Sequence, residues 1–116
     1  MNKQELSELL HSLDATVNEG ISNSDRSKET RIVYWNTVEE DINASGEGYE
    51  NLQTYQISIF NPKPKCIVYQ ELRKKLRKKG IHPVFYHEYV ENDPVFQKNW
   101  HTYFIMEVVE NDTGTI

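Results

Sequence analysis

Three histidines, His82, His87 and His101, stand close enough in sequence to suggest a shared site. His87 and His101 flank Pro94 symmetrically, so a hairpin turning there would pair them across two strands, with Glu88 or Glu91 beside them. Such a set would suit zinc or iron. Ligand spacings such as His-x-His or His-Glu-x-x-His are absent, and half-exposed histidines on an aromatic-rich hairpin explain the same residues. No metal is expected. Cys66 lies near the start of a helical stretch whose dipole would favour a thiolate. A nucleophile also needs a base and an orienting group, and no nearby residue pattern marks either. A small buried thiol is the expectation.

Three further motifs lack the context their chemistry requires. Asp112-Thr113-Gly114 matches the acid-Thr-Gly triplet of aspartic proteases, where two aspartates share a proton. That triplet must sit on a buried loop with sheet after it, and only Thr115 and Ile116 follow. Gly46-Glu47-Gly48 has neither the third glycine nor the Lys-Ser/Thr pair of a phosphate loop, and its carboxylate would repel phosphate. The sequons at Asn43-Ala44-Ser45 and Asn111-Asp112-Thr113 matter only in an exported chain. No catalytic residue and no cofactor are assigned, and the chain is not expected to be an enzyme.

The strongest signal is electrostatic. Residues 63–79 hold eight basic side chains against Glu71 alone, a net of +7. The other 99 residues hold five basic and seventeen acidic ones, a net of −12, and the two add to the overall −5. A small domain divided in this way suits self-assembly or a charged partner better than a small-molecule enzyme. The run Arg73-Lys74-Lys75-Leu76-Arg77-Lys78-Lys79 could contact nucleic-acid phosphates while aromatic strands stack bases, which would make the chain a nucleic-acid-binding regulator. The acidic remainder opposes approach to a polyanion, so a subunit or partner contact is preferred.

The elements that would position these residues follow from periodicity. Leu6, Leu9, Leu10, Leu13 and Val17 form a helical stripe, Asn2 and Glu5 a capping box, and Gly20 a C-terminal cap, which predicts a helix over 3–19. Residues 21–29 read as a polar connector. Residues 30–37 and 52–60 are β-branched, aromatic or alternating, and predict strands. Between them, residues 39–51 predict a flexible acidic loop. Asn61-Pro62-Lys63-Pro64 breaks the second strand, and residues 65–79 form a second helix closed by Gly80 and Pro83. Residues 84–91 and 100–110 predict a hairpin about Asn92-Asp93-Pro94, and 111–116 a frayed polar tail. The order α-β-β-α-β-β implies an α+β two-layer sandwich, an antiparallel sheet of about four strands with two helices on one face.

Composition sets the outer limits. At 116 residues and 13.7 kDa, 37% apolar with thirteen aromatics, the chain is one domain, 1–116, with a core of its own. No window approaches the 18 apolar residues of a membrane span. The first residues turn amphipathic at once, unlike a signal peptide, and one cysteine fits a reducing cytoplasm. Seven tyrosines and two tryptophans exceed what one small core needs, which favours protein–protein contact.

Taken together, the amphipathic first helix, Ile32-Val33-Tyr34-Trp35-Asn36, the acidic Gly/Ser stretch, Tyr55-Gln56-Ile57-Ser58-Ile59-Phe60, the basic helix ending Lys79-Gly80, Tyr86-His87-Glu88-Tyr89 and Trp100-His101-Thr102-Tyr103 form a familiar pattern. It resembles the small tail-completion proteins (tail terminators, or head–tail joining proteins) of long-tailed phages, especially in prophages of Gram-positive bacteria, over about residues 6–109. The resemblance implies a non-catalytic subunit of a homo-oligomeric ring, typically a hexamer, that can be monomeric in isolation. Its partners would be the tail tube protein and the head connector protein, with DNA only as cargo. It would be found in the host cytoplasm during assembly and in the virion tail or neck afterwards. In such a ring, Glu39, Glu40, Asp41, Glu47 and Glu50 would face a partner or the DNA lumen. Lys74, Lys75, Arg77, Lys78 and Lys79 would form a basic interaction face.

Overall fold

Asn2 opens the first helix, α1 (Lys3–His11), in a computed structural model that describes residues 1–21, 28–43, 49–93 and 97–112. The Asn2 side-chain oxygen accepts from the Glu5 backbone N–H at 2.8 Å, and Glu5 accepts in return from the Asn2 N–H at 3.3 Å. This satisfies donors that a helix start leaves open. The helix ends at His11, eight residues short of the expected end. Residues Thr16–Glu19 form a strand instead, β1. Leu13, Ala15 and Val17 imitate a continuing helical face because every second residue of an extended segment also points one way. Leu13 and Ala15 are buried and Val17 packs against the core. Gly20 does take a left-handed conformation (φ 83°), but it ends a strand, not a helix.

Four longer elements and a second helix follow. They are β2 (Arg31–Asn43), β3 (Tyr49–Asn61), α2 (Ile67–Lys78), β4 (Tyr86–Asp93) and β5 (Gln97–Asp112). The sheet order is β1-β2-β3-β5-β4, with β1 parallel to β2 and every other pair antiparallel. The α+β class is as expected, but the sheet is mixed and five-stranded, and the element order is α-β-β-β-α-β-β. The extra strand has only four residues, too few to show alternation beneath a helical stripe.

The expected acidic loop over 39–51 is mostly strand. β2 continues to Asn43 and β3 begins at Tyr49, while Gly46, Glu47 and Gly48 lie outside the described residues. Cross-strand bonds hold the acids in the ladder: Asn51 donates to Asp41 at 2.8 Å and Gln53 to Glu39 at 3.4 Å. β5 also runs through Asn111 and Asp112, so that part of the expected tail is sheet, and residues 113–116 lie outside the described ones.

Both helices cover one face of the sheet. Leu6, Leu9 and Leu10 of α1 and Val68, Tyr69, Leu72 and Leu76 of α2 meet Ile32, Tyr34, Tyr55, Ile57, Ile59, Phe104 and Val108. Tyr69 sets its ring edge-on to Phe85 (5.0 Å) and His87 (5.1 Å), locking α2 to the β4 side. Beyond the helices, the far halves of β2, β3 and β5 project as a three-stranded arm, paired as far as Tyr49 with Asp112.

Candidate functional site

The register places a polar constellation on the sheet face opposite the helices. Ser58 on β3, His101 on β5 and Glu88 on β4 share this face because Phe60 and Glu88 oppose His101, and Ser58 opposes Tyr103. Nε2 of His101 lies 2.8 Å from Ser58 Oγ, and its Nδ1 lies 2.8 Å from Glu88 Oε1. The imidazole stacks on Phe60 (4.6 Å, 5° between planes) and on Tyr103 (4.9 Å, 25°). Tyr103 in turn stacks on Tyr86, and the Arg31 guanidinium sits 4.6 Å over Phe60. The result is a row of stacked groups running across four strands.

Hydroxyl, imidazole and carboxylate are bonded here in the order of a hydrolase triad. The surroundings do not permit that chemistry. Ser58 is 1% exposed, so no carbonyl carbon can reach it. It lies inside the central ladder, with β2 on one side and β5 on the other, where backbone N–H groups are committed to strand pairing and do not converge on an oxyanion. The trio is a polar staple across three strands.

The other sequence candidates separate in space. His87 pairs with Thr102 while Glu88 pairs with His101, so the two histidines point to opposite faces and cannot share a metal. The hairpin was expected to pair them directly, but its register is offset by one residue, which reverses the face. His87 Nδ1 instead lies 2.9 Å from Thr102 Oγ1, and burial, with Lys65 nearby, pushes its pKa below the ordinary 6.5. Cys66 is the N-cap of α2, beside a groove of about 630 Å³ lined by Lys28, Lys63 and Lys65 among others. Burial outweighs the neighbouring backbone N–H groups and raises the thiol above its ordinary 9.0, the opposite of an activated nucleophile. No group of three or more potential metal ligands occurs among the described residues.

The charged surfaces remain. Along α2, Ile67, Gln70, Glu71, Lys74, Arg77 and Lys78 form one exposed stripe directed away from the sheet. Of the other members of the expected basic face, Lys75 donates to Ser12 Oγ at 2.8 Å, while Lys79, whose backbone N–H caps α2, keeps an exposed side chain. The acidic residues divide according to a β-bulge between Asn36 and Val38, where Thr37 bonds the Thr54 carbonyl at 3.0 Å. After the bulge, Glu39 and Asp41 share the helix side with Gln53 and Asn51. Val38, Glu40 and Ile42 share the outer side with Leu52, Glu50, Glu107 and Val109. Val38, Ile42, Ile105 and Val109 are all exposed there, and no described helix or strand lies over them.

The Ser58–His101–Glu88 trio was not among the sequence candidates. β3 and β5 are separated by a helix and another strand, and no local pattern pairs them. No protein-family model and no curated protein sequence matches the chain.

Proposed function

We propose that this chain is a structural subunit of a phage or prophage tail, a tail terminator or head–tail joining protein that assembles into a ring at the head-proximal end of the tail tube. One observation carries this reading. A basic stripe and an acidic, apolar surface occupy opposite faces of one small domain, so within a single chain neither can satisfy the other. Exposed apolar side chains alternating with charge are what an assembly surface requires, and they are poorly tolerated by a chain that remains alone. Ser58 is buried and His87 and His101 point to opposite faces, so neither of these two sets has the geometry of a catalytic centre.

The nucleic-acid alternative needs the basic helix and the aromatic strands to act on one ligand. They lie on opposite sides of the sheet, and the rings of Phe60, His101, Tyr103 and Tyr86 stack on one another, which occupies the faces that bases would use.

The test is tube capping. The purified chain is added to polymerising tail tube protein from the same genome, and tube lengths and ends are imaged. Arrested growth with a ring at one end is expected. Unchanged length distributions and bare ends at saturating protein would refute the assignment.

A further inference from the structure

We propose that the outer face of the three-stranded arm seats the basic stripe of α2 from a second copy of this chain. The inference deepens the ring reading by naming its contact, and rests on the self-assembly that reading assumes.

The two surfaces match in chemistry. The arm offers Val38, Ile42, Leu52 and Val109 interleaved with Glu40, Glu50 and Glu107. The stripe offers Lys74, Arg77 and Lys78 against a single acid, Glu71, with Ile67 at its start as an apolar anchor, 72% exposed. Aliphatic contact with surrounding opposite charge is the usual pattern of a specific protein interface.

They also match in size. The stripe from Ile67 to Lys78 is about 18 Å long at the rise of a helix. Five residues of strand by three strands give a patch of about 14 Å by about 10 Å, with a diagonal of about 17 Å. A helix lying obliquely across the arm covers it from corner to corner.

The surfaces cannot meet within one chain. α2 packs on the helix side of the sheet through Val68, Tyr69, Leu72 and Leu76, with its stripe directed outward, while the patch is on the reverse side. Any contact between them therefore joins one subunit's front to the next one's back. Such heterologous contacts close into rings when the rotation permits, and otherwise extend as filaments.

Charge exchange in the full-length chain tests this. One variant reverses the stripe (Lys74→Glu, Arg77→Glu, Lys78→Glu) and another reverses the arm (Glu40→Lys, Glu50→Lys, Glu107→Lys). Each is checked for folding by circular dichroism, and Lys74→Gln, Arg77→Gln, Lys78→Gln replaces the stripe variant should its helix fail. Sedimentation velocity should show salt-sensitive assembly of the wild type, with at least a tenfold weakening between about 0.05 M and about 0.5 M salt. Either reversed variant alone should be monomeric, because helix and arm then carry the same sign. Mixing the two reversed variants should restore assembly, since each helix now faces an arm of opposite charge. For the Gln variant, at least a tenfold weakening of assembly is expected. A wild type that stays monomeric up to about 1 mM overturns the proposal, as do reversed variants that still assemble or mixtures that do not. Tube capping is scored separately. Capping by a protein that fails the exchange test would keep the ring reading and remove this contact, and the converse would keep the contact alone.

Discussion

Ser58 Oγ and His101 Nε2 stand 2.8 Å apart on the sheet face that no described helix covers, joining β3 to β5 from side chain to side chain as well as through the backbone. The bond is structural, and its loss should appear as lost stability. Truncating His101→Ala removes two stacked ring contacts and strands the Ser58 hydroxyl, a cost of about 2 kcal/mol in urea denaturation. Ser58→Ala should cost about 1 kcal/mol, and the double variant should show coupling of about 1 kcal/mol. A serine-directed fluorophosphonate should leave Ser58 unlabelled in the folded protein. Labelling there would reopen the hydrolase question.

His87 predicts the pH dependence. Its folded pKa lies below the ordinary 6.5, so the unfolded chain binds the extra proton first as pH falls. Stability is fully present above pH 6.5 and is lost progressively below it, down to the depressed folded value. His87→Asn should flatten this part of the profile relative to wild type. Parallel wild-type and variant curves of unfolding midpoint against pH would show that His87 is not the source.

Asn99 is fully buried, and neither of its side-chain polar atoms has a hydrogen-bond partner among the described residues. Replacing it by a side chain of similar size without polar atoms removes that penalty, so Asn99→Leu should stabilise the chain by about 1 kcal/mol or more. The urea midpoint should rise with an unchanged slope.

Gly80 closes α2 at φ 75°, and nothing lies within 4 Å of where a Cβ would stand. Backbone strain alone then sets the cost of substitution. Gly80→Ala should lose about 1 kcal/mol and Gly80→Asn clearly less, because asparagine tolerates the left-handed region. Equal losses for both would point to a steric cause.

DNA binding is expected to fail. With the basic stripe and the stacked rings on opposite faces, anisotropy titration of labelled duplex at about 0.15 M salt should show no saturable binding below about 10 μM. Tight binding with a steep salt slope would instead favour the regulator.

How much of this was legible in the sequence depended on the range of the interactions. α2 was readable almost to the residue, because Asn61-Pro62, the Val68–Leu76 stripe and Gly80 are all local signals. Asn2 and Glu5 likewise announced the start of α1, and the β4–β5 pair was visible from its two β-rich runs, although Asn92 and Asp93 of the expected turn belong to β4 and Pro94 lies outside the described residues. The end of α1 was not, since Leu13 and Val17 satisfy helical and extended periods alike, and only the parallel pairing with β2 decides between them. The acids at 39–41 read as loop because their charge masks the alternation that Val38 and Ile42 mark. The bulge at Thr37, which decides the side each carboxylate occupies, left no sequence trace. The Ser58–His101–Glu88 trio was the least accessible, because it depends on a strand order that local patterns do not contain.

That strand order also sets a timetable. The central strand, β3, pairs on one side with β5, a partner that follows α2 and β4 in the chain. Until Gln97–Asp112 has emerged, β3 has one open edge, and the arm lacks Glu107 and Val109. Helices and the β2–β3 hairpin can form early, but the outer face of the arm is complete only once β5 has paired with β3. Were the arm the docking face proposed above, a chain with β5 unpaired would present only part of it.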